Sequence, residues 1–402
     1  MLSVDQALKA VLSRCRPQPA RPMPLAEALG RVLDEEVVAD IDLPPFDKAL
    51  MDGYAIRSAD LATPGERRLR LSEEIFAGRV STRFLGEGEA ARIMTGAPLP
   101  PGADAVVMVE RSTLDGGDVL LSGPVAPGQF RLTRGREMRA GEVLLCRGTP
   151  IDAARLGLIA SSGRAEIRAI PGSVVAVVPT GDELVPLSSV PGPGQIRNSN
   201  GPMLAALARS QGASEATEFP IAPDEPEPLR RSLARALASA DVVLVSGGVS
   251  AGTKDLVPSI LLGLGVEPVF HKVAVKPGKP LWFGVGPARE GGPPPLVFGL
   301  PGNPASGVVG FLLFVRPALL ALAGHPPGPS PTSTLPLGFA FAHRGDRPTY
   351  HPSRLSQGRV IPLDWAGSAD LRAVALADGF AVFPAGEAQY QAGDPISFLP
   401  LR

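Results

Sequence analysis

The sequence predicts a multidomain protein of mixed α/β and β class, centred on a doubly wound parallel α/β domain over residues 172–325. Three observations carry that expectation. Continuous apolar runs, "SVVAVVP", "DVVLVS" and "PLVFGL", alternate with helical stretches, "NGPMLAALARSQGA" and "EPLRRSLARALASA". Strands buried on both faces read as unbroken apolar runs, and their alternation with helices implies a parallel sheet covered on both sides. Each run also opens into a polar or glycine-rich loop, at 180–183, 246–255 and 301–306. Ligands of such sheets bind beyond the carboxyl ends of the strands.

The remaining elements follow in chain order. Ser3 and Gln6 have capping-box spacing, and Val4, Leu8, Val11, Leu12 and Cys15 form a helical stripe. Asp5, Lys9 and Arg14 interrupt any secretory apolar core. Residues 46–135 hold short apolar runs separated by Gly, Pro and Asp, a β-rich pattern, and 330–402 repeat it. Asn200 reads as a helix N-cap, with Pro202 in the first turn and Gly212 past the end. The most apolar run, "VVGFLLFVRPALLALA", carries Arg316 and Pro317 and is shorter than a bilayer span. It reads as a buried helix, kinked or broken near Pro317. "PPGPSP" at 326–331 marks a domain boundary.

Composition narrows the function. A chain of 402 residues with 44% hydrophobic content forms two to four domains with real cores. Net charge is −1, from 39 basic and 40 acidic residues, which excludes a general nucleic-acid or membrane-surface binder but leaves room for a local anion site. Cys15 and Cys146 lie in no CxxC or Cys/His cluster, and the four His lack metal spacing. That pattern carries no zinc or iron–sulfur signature and suits a reducing compartment.

Lysine usage is uneven. Only six of the 39 Lys and Arg residues are Lys, and Lys272, Lys276 and Lys279 are half of them, in the window "HKVAVKPGKPLW". "KPGK" fits a type II turn, with Pro277 and Gly278 at its centre. Lys272 and Lys276, four apart, share a face on an extended strand. The window therefore builds a cationic cluster suited to a compact oxyanion, although the lysines would equally solubilise a surface strand. In "SGGVSAGTKD", the glycines Gly247, Gly248 and Gly252 let the backbone approach an anion, and Asp255 could hold Mg2+; a tight structural turn is the other reading. "PTGDEL" places Asp182 and Glu183 at a strand end, where a solvated turn explains them as well. In "LPGNPAS", capping by Asn303 with Pro304 at the first helical position explains the residues, and a bare helix N-terminus also receives anions.

Taken in order, "LPPFDKALMDGYAIR", "RIMTGAPLPPGADAVV", "VVPTGDEL", "IRNSN", "VSGGVSAGTKD", "KVAVKPGKP", "LPGNPAS" and "GSADLRAVALADGFAVFP" resemble the molybdopterin molybdenumtransferase family, which includes the E domain of gephyrin. The likeness runs along nearly the whole chain. It implies an elongated α+β part from 1–45 and 135–171, an inserted β-rich part at 46–134, a molybdopterin-binding-like α/β domain at 172–325 and a β-barrel-like domain at 326–402. It implies a cytoplasmic homodimer with composite sites, contacts to other molybdenum-cofactor biosynthesis proteins, and no nucleic-acid or membrane partner. The implied reaction joins molybdate to adenylyl-molybdopterin with Mg2+ and releases AMP.

Carried over by motif, Lys272, Lys276 and Lys279 would bind oxyanions. Glu183, Asp224 and Asp255 would serve Mg2+ and substrate orientation. Asp52 and Thr95 would reach across the dimer, and Gly247, Gly248, Ser250, Gly302, Asn303, Ser306 and Ser368 would line the cofactor site. The chain departs from the family at three places: Glu137 stands where Asp is usual, Lys48 where Ser is common, and Pro352 where an arginine follows an aromatic. Arg354 lies two residues on, on the same strand face. A pterin-binding scaffold without turnover shares most of this pattern.

Overall fold

The computed structural model describes residues 1–249, 256–289 and 292–401. Ser250 and Asp255, two of the expected site residues, lie outside the described residues. The chain divides into two compact units, one of residues 35–147 and 153–165, the other of 1–34, 148–152 and 166–402.

The first unit is built on a six-stranded sheet in the order Ala105–Met108, Gly53–Ile56, Glu89–Ile93, Gly65–Ile75, Asp118–Gly123, Ser112–Asp115. Successive residues of one strand enter opposite cores: Tyr54 and Ile56 pack with Val107 and Leu121, while Ala55 packs with Ile93 and Val106. This is the period-two alternation of a strand covered on both faces. At Gly53 a Cβ would stand 1.9 Å from the Val107 carbonyl oxygen. The glycine therefore lets two strands close directly beside Asp52.

In the second unit the α/β domain runs β1 (Val174–Pro179), α1 (Asn200–Ser210), β2 (Glu215–Glu218), α2 (Pro226–Ser239), β3 (Val242–Ser246), α3 (Val257–Gly263), β4 (Glu267–His271), β5 (Trp282–Val285), β6 (Leu296–Leu300) and α4 (Pro304–Gly310). The sheet order is β2-β1-β3-β6-β5-β4. β2, β1, β3 and β6 are parallel, as expected, while β5 runs antiparallel to both β6 and β4. Val175 and Val177 of β1 face one core with α1, whereas Ala176 and Val178 face the other with α2 and α3. Burial on both sides is why these strands read as unbroken apolar runs.

The N-terminal helix, Val4–Leu12, carries the capping box, with the Gln6 N–H donating to Ser3 Oγ at 3.1 Å. Its Ala7, Leu8 and Val11 join the α1 core. For α1 the N-cap is Ser199, not Asn200, and Ser199 makes no side-chain cap bond.

The long apolar helix continues α4 through a π turn, Phe311–Val315, into a last α-helical segment, Arg316–Leu322. The widened turn lies just ahead of Pro317, whose ring would press on the carbonyl four residues back. At 19 residues this helix is long and apolar enough to cross a membrane, but 94% of its most apolar stretch is buried inside the chain. It is the core helix of the α/β domain.

Arg316 is buried with it. Its Nε donates to Ser330 Oγ at 2.9 Å, Nη1 reaches the Pro400 carbonyl at 3.4 Å, and Nη2 is enclosed without a partner. Burial lowers its pKa. No carboxylate pairs with it among the described residues. A buried charge that lacks a counter-ion carries a desolvation cost that an apolar chain of similar length does not. Arg316→Met should therefore melt at or above the wild-type temperature; a clear fall would assign the guanidinium a net stabilising role.

The C-terminal part holds a five-stranded antiparallel sheet, ordered Ser333–Pro336, Pro395–Pro400, Gly379–Phe383, Thr349–Ser356, Arg359–Pro362, and a separate ribbon of Phe341–Gly345 with Gly386–Tyr390. Phe341 stacks on Phe383 at 4.8 Å and ties ribbon to sheet.

Candidate functional site

β1 and β3 are neighbours, and the chain leaves them toward opposite edges, from β1 through α1 to β2 and from β3 to α3 and β4. Such a switch in direction opens a crevice beyond the carboxyl ends of the strands. The loops there are knitted together: Thr180 N–H donates to the Ser246 carbonyl at 2.9 Å, and Gly247 N–H to the Leu300 carbonyl at 3.0 Å. Gly247 and Gly248 have φ of +99° and +63°. A Cβ on Gly247 would sit 2.5 Å from the Thr180 carbonyl oxygen. The glycines thus serve close backbone approach, and the Gly247 amide faces Leu300.

A cavity of about 540 Å³ opens at one end of this edge. Lys276, Lys279, Arg347, Asn303, Ser306 and Ser368 line it, and no carboxylate does so among the described residues. Its polar side chains are donors or hydroxyls, the chemistry of an oxyanion receptor.

The backbone builds this end in a way the sequence did not suggest. The expected type II turn over 276–279 is absent, and the turn lies two residues later, with Leu281 N–H donating to the Gly278 carbonyl at 3.3 Å. Lys276 instead bridges to the C-terminal sheet: its N–H donates to the Pro348 carbonyl at 2.9 Å and its carbonyl accepts from Tyr350 N–H at 2.7 Å. Lys272 has φ of +74° and follows the end of β4, so it does not share an extended strand with Lys276, and it stands outside the cavity lining. Arg354 pairs with Ile361 at the exposed end of its strand. The guanidinium in the cavity belongs to Arg347, held by Asp346 at 3.0 Å and the Val275 carbonyl at 3.5 Å. The Asn303 side chain makes no cap bond; its Nδ2 donates to Ser368 Oγ at 2.7 Å. The Ala305 N–H donates to the Ser368 carbonyl at 3.1 Å, so Ser368 closes the start of α4 from the C-terminal domain.

Next to it lies a second cavity of about 290 Å³, lined by Thr180, Glu183, Asn198, Asn200, Ser246 and Gly302 among others. Asn200 Nδ2 donates to Ser246 Oγ at 2.9 Å and to the Gly302 carbonyl at 2.7 Å, and so clamps the loops after β3 and β6. Its Oδ1 is enclosed without a partner. Two residues earlier, Asn198 donates to Glu218 at 2.7 Å and accepts from the Gly201 N–H at 3.0 Å. Both asparagines sit in the quoted "IRNSN", where their spacing before a helix was the available signal.

The acids cluster along the same edge. Glu183 lines the second cavity, and Asp224 N–H donates to Asp182 Oδ1 at 3.0 Å. No three His, Cys, Asp or Glu side chains form a metal-holding group among the described residues. Mg2+ commonly takes one or two carboxylates and completes its shell with phosphate and water. Glu183 and Asp224 are oxygen donors of that kind, so the donor chemistry suits the ion.

In the other unit, Asp52 Oδ1 accepts from both the N–H and the hydroxyl of Thr95, each at 2.7 Å. The Thr95 N–H first and its hydroxyl second hold the Asp52 carboxyl below the usual aspartate range. A depressed pKa contributes stability above the ordinary aspartate value that is lost as pH falls through the Asp52 midpoint. Thr95→Val removes the hydroxyl bond and should move that midpoint up; an unchanged carboxyl-carbon titration of Asp52 by NMR would contradict it. Lys48 and Glu137, two of the departures from the family pattern, pair with each other at 3.2 Å. They are one exposed, paired exchange, a bond of small energetic weight.

Known proteins resemble this chain along nearly its whole length. Family models described as "MoeA N-terminal region (domain I and II)", "Probable molybdopterin binding domain" and "MoeA C-terminal region (domain IV)" match residues 2–163, 176–321 and 334–401. A molybdopterin molybdenumtransferase of Staphylococcus aureus (strain Mu50) is 32% identical over 99% of this chain and 95% of its own length. One of Nostoc sp. is 36% identical over 93% and 87%. A molybdopterin biosynthesis MoeA protein of Pyrococcus horikoshii has a similar structure, with TM-score 0.82 and 28% identity over 99% of both chains. The fold and these relatives define a transferase of molybdenum cofactor biosynthesis. The chain belongs to the molybdopterin molybdenumtransferase family.

Proposed function

We propose that this chain inserts molybdenum into molybdopterin, joining molybdate to adenylyl-molybdopterin and releasing AMP. The observation that carries the reading is the cavity lined by Lys276, Lys279 and Arg347, with no carboxylate in its lining among the described residues and Asp346 paired with Arg347 outside that lining. Two ammonium groups and a guanidinium neutralise a tetrahedral dianion and the phosphoanhydride beside it, and the Ser306 and Ser368 hydroxyls can orient its oxygens. Attraction in a partly enclosed site exceeds that in bulk water. When bound, Mg2+ would polarise phosphate oxygens, with Glu183, Asp224 and Asp255 as its protein ligands.

Asp52, kept ionised by Thr95, is the acid that we assign to the partner subunit's share of a composite site in a homodimer. The same reading makes the protein cytoplasmic and a transient contact of other cofactor-synthesis enzymes. The test is to incubate purified protein with adenylyl-molybdopterin, molybdate and Mg2+, then to supply the product to a molybdenum-free apoenzyme. Activation that needs molybdate and falls on Mg2+ removal is expected; no activation by folded protein overturns the reading.

A further inference from the structure

Asn303 stands at the start of α4 and gives up the bond that its position offers. It precedes Pro304 with an extended backbone, φ −69° and ψ 125°. An asparagine there ordinarily accepts, through its side chain, from an N–H of the first helical turn. Asn303 makes no such bond. The Ala305 N–H is taken instead by the Ser368 carbonyl at 3.1 Å. The freed amide turns to the same residue, and Asn303 Nδ2 donates to Ser368 Oγ at 2.7 Å. Backbone and side chain have exchanged duties: Ser368 closes the helix, and Asn303 holds the Ser368 hydroxyl.

The loop that carries Ser368 is itself fixed. The Asp370 carboxylate accepts from the Ala366 N–H at 3.1 Å and from the Ala373 N–H at 3.0 Å, on either side of Ser368. The Asp370 N–H donates to the Gly367 carbonyl at 3.0 Å, and Gly367 has φ of +115°, which favours glycine.

A hydroxyl has one hydrogen to give and two places to accept. Asn303 fills an accepting place, which leaves the hydrogen free. The Ser368 hydroxyl donates to no group among the described residues. Ser368 lines the first cavity, whose charged groups, Lys276, Lys279 and Arg347, are all donors. The acceptor that the hydroxyl lacks is one that an oxyanion brings. We propose that Asn303 is a positioning residue, which forgoes helix capping to set Ser368 as a hydrogen-bond donor to the oxyanion. The inference rests on the function proposed above, which puts molybdate in this cavity, and adds a directed neutral donor to the charges there. Such groups, aimed before the ligand arrives, need no rearrangement when it binds.

The test is a double-mutant cycle, with molybdate titrated by calorimetry into the whole protein. Serine caps a helix as well as asparagine does, but is too short to reach Ser368. Asn303→Ser should therefore melt at the wild-type temperature when empty, yet bind molybdate about three- to tenfold more weakly. Ser368→Ala should weaken binding about tenfold or more, as for a bond to a charged group. Adding Asn303→Ser to Ser368→Ala should change affinity by less than about twofold, because the amide then has no hydroxyl to direct. If Asn303→Ser does not fold, Asn303→Gly takes its place in the cycle, since glycine is tolerated at a helix start. Losses that add independently in the double variant, or an unchanged molybdate affinity in a folded Asn303 variant, overturn the proposal, as does a wild type that binds no molybdate. A wild type that shows the coupling yet inserts no molybdenum would instead overturn the function and leave the role of Asn303 standing.

Discussion

Lys276→Ala should lower molybdenum insertion roughly 10- to 150-fold, the effect of one charge-assisted hydrogen bond of about 1.5–3 kcal/mol. The unliganded protein should melt at the wild-type temperature or slightly above. The structure gives the reason for both signs. The backbone of Lys276 holds the junction to Pro348 and Tyr350, and Ala keeps those bonds. The side chain lines a cavity with Lys279 and Arg347, where Asp346, paired with Arg347, is the one nearby acid among the described residues to offset it, so its removal from the empty protein costs little. Lys276→Arg should restore only part of the rate, because a planar fork does not replace a compact ammonium. Molybdate should protect the wild type against melting more than the mutant, because a ligand stabilises the state that binds it. A Lys276→Ala protein that melts much lower when empty and turns over normally would show that the lysine is structural.

Asp52→Ala should abolish insertion and leave the fold intact. The side chain is exposed, and its two hydrogen bonds both come from Thr95 at the surface. No apolar volume leaves a core. The neighbouring strand is fixed independently by its pairing with Glu89–Ile93 and Ala105–Met108. If each site draws on two subunits, mixing inactive Asp52→Ala with slowed Lys276→Ala chains should raise activity above that of either variant alone. A hybrid dimer then carries one intact Asp52 opposite one intact Lys276. No recovery after subunit exchange has been verified would place each site within one chain.

Much of this was legible in the sequence for physical reasons. Strands buried on both faces left unbroken apolar runs, so the parallel core and its loop edge could be read directly. Ser3 and Gln6 announced the first helix because both halves of a capping box are local. What escaped depended on distant partners. Asn303 looked like a cap from its neighbours, but its amide goes to Ser368, 65 residues away. Arg347 entered the cavity because Lys276 pairs with the C-terminal sheet, which no local pattern announces. Lys272 and Lys276 look like a strand pair until a left-handed residue breaks the strand. The antiparallel β5 was hidden for a similar reason: direction is set by a connection, and an apolar run does not record it.

The central claim is that the cationic cavity couples molybdate uptake to release of AMP. Its most direct test is a single-turnover experiment that counts both products on the same sample. Purified protein loaded with adenylyl-molybdopterin and Mg2+ is given molybdate, and AMP and cofactor-bound molybdenum are measured over time. One AMP per molybdenum inserted is expected, with little AMP without molybdate and both slowed together in Lys276→Ala. AMP released at the full rate without molybdate, or molybdenum inserted equally fast by Lys276→Ala, would contradict it.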